Sequence, residues 1–153
     1  MTAEGTGIAY FEPTNEVYVA LTFDNSSFNG VYAFNRTSFP QIRFLFPYDG
    51  ITGRLFVSES TLYMNDGQSL LRIMAGETSW TNVVVWSLEL IAFVVQDDGM
   101  VVFCEESGSV WTYSPTDRLF RQLKEPTANG DHCGDIALRV CDGLVYVALR
   151  NVQ

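Results

Sequence analysis

The stretch Leu90-Ile91-Ala92-Phe93-Val94-Val95-Gln96-Asp97-Asp98-Gly99-Met100-Val101-Val102-Phe103-Cys104 decides the fold. Two runs rich in Val and Phe, residue types that pack well on a pleated surface, flank the polar triplet Asp97-Asp98-Gly99. Such a triplet accepts the positive φ angles of a tight hairpin, so the chain is predicted to turn back on itself there. Downstream, Val110-Trp111-Thr112-Tyr113 and Leu119-Phe120-Arg121-Gln122-Leu123 read as two further strands, giving a four-stranded antiparallel unit over roughly 89–125.

The same order recurs upstream. A unit over about 52–88 contains Arg54-Leu55-Phe56-Val57, Thr61-Leu62-Tyr63-Met64, Leu70-Leu71-Arg72-Ile73 and Asn82-Val83-Val84-Val85-Trp86, with a hairpin turn predicted at Asn65-Asp66-Gly67. A unit over about 6–48 contains Ile8-Ala9-Tyr10-Phe11, Val17-Tyr18-Val19-Ala20-Leu21, Val31-Tyr32-Ala33-Phe34 and Ile42-Arg43-Phe44-Leu45-Phe46. Its breaks fall at Pro13-Thr14-Asn15, Asp24 to Gly30 and Pro40, which favour turns or cannot extend a ladder. A last unit, about 134–153, holds only Ile136 to Val140, the turn Asp142-Gly143, and Leu144 to Leu149. The reading is therefore one all-β repeat domain, 1–153, with units spaced by close to 40 residues. Inner strands are continuous apolar runs whereas fourth strands carry Arg43, Arg121 and Gln122, so burial is expected to fall outward.

In Glu16-Val17-Tyr18-Val19-Ala20 with Gly30-Val31-Tyr32-Ala33-Phe34-Asn35, in Gly99 to Phe103 with Ser109 to Tyr113, and in Gly143 to Ala148, the chain resembles β-propeller proteins. The resemblance spans nearly the whole chain and implies about three and a half blades, a partial or multi-chain propeller. A β-sandwich is the alternative, since regularly spaced short strands also describe one. No WD dipeptide, paired-glycine kelch signature or Asp-box names a subfamily. In its aromatic, Lys-poor repeats and polar hairpins such as Asp24 to Gly30, the chain is also similar in composition to bacteriophage head-completion and tail propellers.

Composition narrows the partners. Of 153 residues 47% are hydrophobic, enough for a substantial core, and the net charge of −9 with scattered Lys and Arg leaves no stripe to neutralise phosphates. Nucleic acid and membrane insertion are therefore not expected; the apolar run Val83 to Val95 is broken by Ser87 and Glu89 and is too short to span a bilayer. The start, Met1-Thr2-Ala3-Glu4-Gly5, lacks the basic and apolar regions of a secretory signal, which favours a cytoplasmic location or an assembled particle over secretion. Two sequons, Asn25-Ser26-Ser27 and Asn35-Arg36-Thr37, would be glycosylated only if the chain entered a secretory pathway. Three cysteines, Cys104, Cys133 and Cys141, form no C-x-x-C pair and read as reduced, mostly buried thiols.

Catalytic templates are missing. Lys124 follows no phosphate-loop glycines, Gly5-Thr6-Gly7 lacks a third glycine, and neither a G-x-S-x-G elbow nor H-E-x-x-H occurs. The one dense group is Asp131-His132-Cys133-Gly134-Asp135, in a predicted loop between the third and fourth units. Its imidazole, thiol and carboxylates are metal-ligand types, yet adjacent residues converge poorly on one ion. The carboxylate pairs Asp97-Asp98 and Glu105-Glu106 suit a hairpin and a polar link better than glycosidic chemistry. No catalytic residue and no cofactor is expected. Near loops, Trp80 and Tyr48 are candidate contact aromatics, whereas Trp86 and Trp111 read as core. The expected function is a non-catalytic structural or protein-interaction module, with self-association or a protein partner covering open blade flanks; the alternative is an extracellular glycan-binding or glycan-hydrolysing propeller fragment.

Overall fold

The computed structural model describes residues 3–24, 26–35, 37, 42–47, 54–77, 79–126, 131–139 and 142–151. Among these the first sheet joins β1 (Ala3–Phe11), β2 (Glu16–Phe23), β3 (Gly30–Asn35) and β4 (Ile42–Pro47) in chain order. The second joins β5 (Leu55–Ser58), β6 (Thr61–Asp66), β7 (Ser69–Met74) and β8 (Thr81–Val85). The third joins β9 (Leu90–Val95), β10 (Val101–Glu105), β11 (Val110–Ser114) and β12 (Leu119–Lys124), and the last pairs only β13 (Asp131–Arg139) with β14 (Leu144–Asn151). Every register given between neighbouring strands is antiparallel. Among the described residues no helix is long and apolar enough to cross a membrane.

Turn chemistry explains the hairpins. Val101 pairs with Val95 and Phe103 with Phe93, closing a loop in which Gly99 has φ +81° and Asp98 Oδ1 accepts the Met100 N–H at 2.9 Å. The aspartate thus holds its own turn and glycine supplies the left-handed residue. The other predicted hairpin also forms, but its turn is displaced. Asp66 pairs with Ser69, leaving Gly67-Gln68 to reverse the chain with Gly67 at φ +55°. Asn65 is therefore a strand residue; fully buried, it accepts the Arg54 N–H at 2.8 Å through Oδ1 and donates its own N–H to the Arg54 carbonyl at 3.3 Å. A buried amide needs such partners, and here it ties β6 to the backbone just before β5.

The chain divides into two compact units, residues 1–82 and 83–153, with the division inside β8. In the first, β1 lies against β5, and Phe11, Tyr18, Ala20, Val31, Ala33, Leu62, Met64 and Ile73 form the core. In the second, β13 lies against β9 and β10, and buried Leu90, Phe93, Val95, Val101, Phe103, Cys104, Cys133 and Ile136 fill the interior. Burial falls outward as expected in the third sheet: β10 is buried throughout, whereas β12 is exposed except at its end. The first sheet is less simple, for Ile8 and Tyr10 of β1 are exposed while β2 and β3 carry the buried residues. Among the described residues β1 pairs with β2 alone, so one of its edges lacks a strand neighbour there.

The cysteines correct the sequence reading. Cys104 on β10 and Cys133 on β13 form a disulfide with Cα atoms 6.0 Å apart, both residues essentially without exposed surface. An odd number of cysteines without a C-x-x-C pair reads as reduced thiols, but packing of β13 on β10 brings these two, 29 positions apart, into bonding range. Cys141 lies outside the described residues.

Gly30 shows how closely β3 and β4 approach: a Cβ there would sit 2.5 Å from both the Phe46 carbonyl oxygen and Phe44 Cε2. Backbone cannot yield as a flexible side chain does, so Gly30→Ala is expected to destabilise the fold by about 2 kcal/mol. Gly5→Ala, whose Cβ would meet only Leu21 Cδ2 at 4.0 Å, should stay within about 0.5 kcal/mol of wild type. Urea unfolding of both variants checks the contrast; equal midpoints would refute the close approach.

Candidate functional site

The polar centre of the first unit is built across three strands. Glu16 opens β2 and Arg43 lies on β4, with β3 between them. Arg43 Nη2 donates to Glu16 Oε1 at 2.8 Å and Oε2 at 3.0 Å, reaching over Ala33, its ladder partner on β3. The Tyr18 hydroxyl donates to Glu16 Oε2 at 3.3 Å and lies 3.3 Å from Thr14 Oγ1. Glu16 is only 7% exposed, whereas 62% of the Arg43 side chain remains open to solvent. Burial alone would raise the Glu16 pKa, but hydrogen bonds from Arg43 and Thr14, with the guanidinium charge, outweigh it and hold the carboxyl below its ordinary value. Burial pushes the Tyr18 hydroxyl up, and the adjacent carboxylate adds to the effect.

Beside this pair is a hollow of about 220 Å³. Its buried lining, Phe11, Tyr18, Leu62 and Ile73, is the core itself, while Thr14, Arg43 and Glu77 bring polar atoms to it. Phe11 and Tyr18 stack with ring centroids 5.3 Å apart, which fixes one wall. Glu77 Oε2 accepts the Met74 N–H at 2.8 Å just beyond β7, so the carboxylate is positioned by the turn that follows that strand. Sequence reasoning missed all three charged groups. The available signal was the placement of Glu16 and Arg43, opposite charges inside otherwise apolar strand patterns, but nothing local joins residues 27 apart.

The residues singled out from sequence are distributed differently. The group at 131–135 is strand β13 and not a loop, with a ladder irregularity between Cys133 and Asp135. His132 places Nδ1 2.8 Å from the Glu106 carbonyl oxygen, Cys133 is consumed in the disulfide, and Asp135 Oδ1 accepts the Ile136 N–H at 2.8 Å. Strand alternation sends neighbouring side chains to opposite faces, which separates what the sequence sets side by side. Asp131 opens β13. Among the described residues no three His, Cys, Asp or Glu side chains form a metal-binding group.

Glu105 is 4% exposed and accepts from Trp86 Nε1 at 2.6 Å and Ser107 Oγ at 2.9 Å, while Glu106 is exposed. Trp86 also packs on Phe103, Trp111 and Phe120, so it is a half-buried structural ring. Trp80 packs on Phe46 at 5.3 Å between centroids and is likewise half-buried; Tyr48 lies outside the described residues. Asn35, partly exposed at the end of β3, accepts from the Thr37 N–H and hydroxyl at 2.8 and 2.7 Å. Asn25 lies outside the described residues.

The sequence matches no protein-family profile and no curated protein. Solved structures do resemble it. An auxiliary nutrient binding protein from Bacteroides thetaiotaomicron has a TM-score of 0.73 at 10% identity, covering 95% of this chain and 36% of its own. Virginiamycin B lyase from Staphylococcus aureus has a TM-score of 0.68 at 14% identity, covering 94% and 48% respectively. The computationally designed Ika4 protein has a TM-score of 0.65 at 12% identity, covering 97% and 92%. The chain thus spans about a third to a half of the length of the two natural proteins. With its repeated four-stranded meanders, these likenesses show a β-propeller-like fold.

Two outcomes follow from the site geometry. The depressed Glu16 pKa means that its pairing contributes stability above the unfolded-state value, about 4.3, and loses that contribution as pH falls through the lower folded value. Glu16→Gln should therefore flatten the acid limb of stability against pH, measured by urea midpoints; an unchanged limb would contradict the pairing. For the disulfide, reduction or Cys133→Ser is expected to cost about 3 to 4 kcal/mol, because the closed loop restricts the unfolded chain. Thermal melts with and without a phosphine reductant test this, and coincident melts would speak against the bond.

Proposed function

We propose that this chain is a non-catalytic propeller-type module whose work is to hold another protein surface, a second copy of itself in the simplest case. One observation carries the reading: among the described residues the last sheet has two strands where the other three have four. Among the described residues β14 pairs only with β13, so its outer edge has no strand partner among them. Leu144, Tyr146 and Leu149 on that strand are 50%, 51% and 37% exposed. An open edge with apolar side chains is a template for strand addition, in which main-chain hydrogen bonds supply affinity and side-chain packing supplies selectivity. A structural place within a larger assembly, including a particle, is consistent with that chemistry.

The fold itself leaves the choice between binding and catalysis open, since solved structures that resemble this chain include a nutrient binding protein and a lyase. The non-catalytic reading is supported by how the reactive side chains are used. Glu105, His132, Cys133 and Asp98 each serve a structural hydrogen bond or disulfide. The aromatic rings around Trp86 pack on one another, an arrangement that favours a core role over a sugar platform.

Sedimentation velocity at micromolar concentration tests the proposal. The wild-type chain should sediment as a species larger than its 17.2 kDa mass, and Leu144→Lys with Tyr146→Lys should shift it toward monomer without lowering the melt. A monodisperse monomer with a cooperative melt would overturn self-association through this edge.

A further inference from the structure

We propose that the hollow of the first unit is a binding site for a free apolar α-amino acid, held by its zwitterionic head and buried by its side chain. The inference concerns a site in a different unit from the β14 edge and does not depend on it. Four core residues, Phe11, Tyr18, Leu62 and Ile73, are 7% exposed or less and line a hollow of about 220 Å³. This is room for several waters, and those lying against the apolar walls would find few polar partners. An apolar group of one side chain's size would release them and gain dispersion contacts with walls already in place.

The polar groups select the head of that ligand. Arg43 uses only Nη2 on Glu16, so Nε and Nη1 have no partner among the described residues. A guanidinium with two donor nitrogens unpartnered among the described residues, and a side chain anchored by a buried carboxylate, is a preorganised receptor for a second carboxylate. Glu77 uses Oε2 on the Met74 N–H and leaves Oε1 without a partner among the described residues, an acceptor for an ammonium group. Glu16 already neutralises Arg43, and Glu77 adds a negative charge, so a ligand carrying only a carboxylate meets a net repulsive rim. A ligand carrying only an ammonium leaves those Arg43 donors unmatched. A zwitterion satisfies both, and its apolar side chain accounts for the rest of the hollow.

Isothermal titration calorimetry of the whole chain at millimolar ligand decides the matter. L-leucine and L-phenylalanine should bind saturably. Isocaproate and hydrocinnamate, which lack the amino group, and isopentylamine and phenethylamine, which lack the carboxylate, should each bind roughly tenfold more weakly or worse. Glu77→Gln, at an exposed position where the amide oxygen can still accept the Met74 N–H, should melt as wild type does. It should lose about tenfold for leucine while leaving isocaproate no weaker. Absence of saturable binding for both amino acids would overturn the proposal, as would analogues that bind as well as the amino acids. A Glu77→Gln variant with undiminished leucine affinity would remove the ammonium subsite and the zwitterion assignment with it.

Discussion

Antiparallel pairing between strands adjacent in the chain is the constraint on which the rest of the structure depends, because each buried N–H and C=O must find a partner and a short turn supplies the nearest one. Each of the three four-stranded sheets is a meander in chain order. Once that local ladder exists, the sheet faces must be covered, and contact between β1 and β5 in one unit and between β9 and β13 in the other does so. Burial follows from this arrangement: β9 and β10 read as continuous apolar runs because they are enclosed, while β12 alternates with charge because it is not.

Several polar groups inside the sheets are matched, whereas the indole N–H groups of Trp80 and Trp111 are buried without a hydrogen-bond partner among the described residues. Asn65 replaces a missing ladder contact near β5, Asn29 accepts the Phe23 N–H at 2.8 Å, and Glu105 takes the indole of Trp86. Glu16 is a buried carboxylate paired with a cation in the first unit, and its partner keeps most of its surface in water. This lowers the desolvation cost of the pair relative to a fully buried one.

The second unit is held differently. There the small two-stranded sheet has less area to bury, and the Cys104–Cys133 bond ties it to β10 within an interior of Val, Phe and Ile side chains. The covalent tie and the packing of β13 on β9 act together, and β14, like β1, keeps an edge without a strand partner among the described residues.

Strand identity, the two tight hairpins and the outward fall of burial in the third sheet were legible in the sequence because alternation, apolar runs and turn residues act over a few neighbours. Asp97-Asp98-Gly99 is read correctly for that reason, and Asn65-Asp66-Gly67 is displaced only because Asn65 finds a buried partner in Arg54, eleven residues away. What joins distant segments was decided by tertiary structure alone. The sulfur pair is 29 residues apart, Glu16 and Arg43 are 27 apart, and Asp131 to Asp135 become a strand through pairing with β14. No local pattern encodes such distances: they exist only after sheets pack, when side chains from separate strands are brought within bonding range of one another.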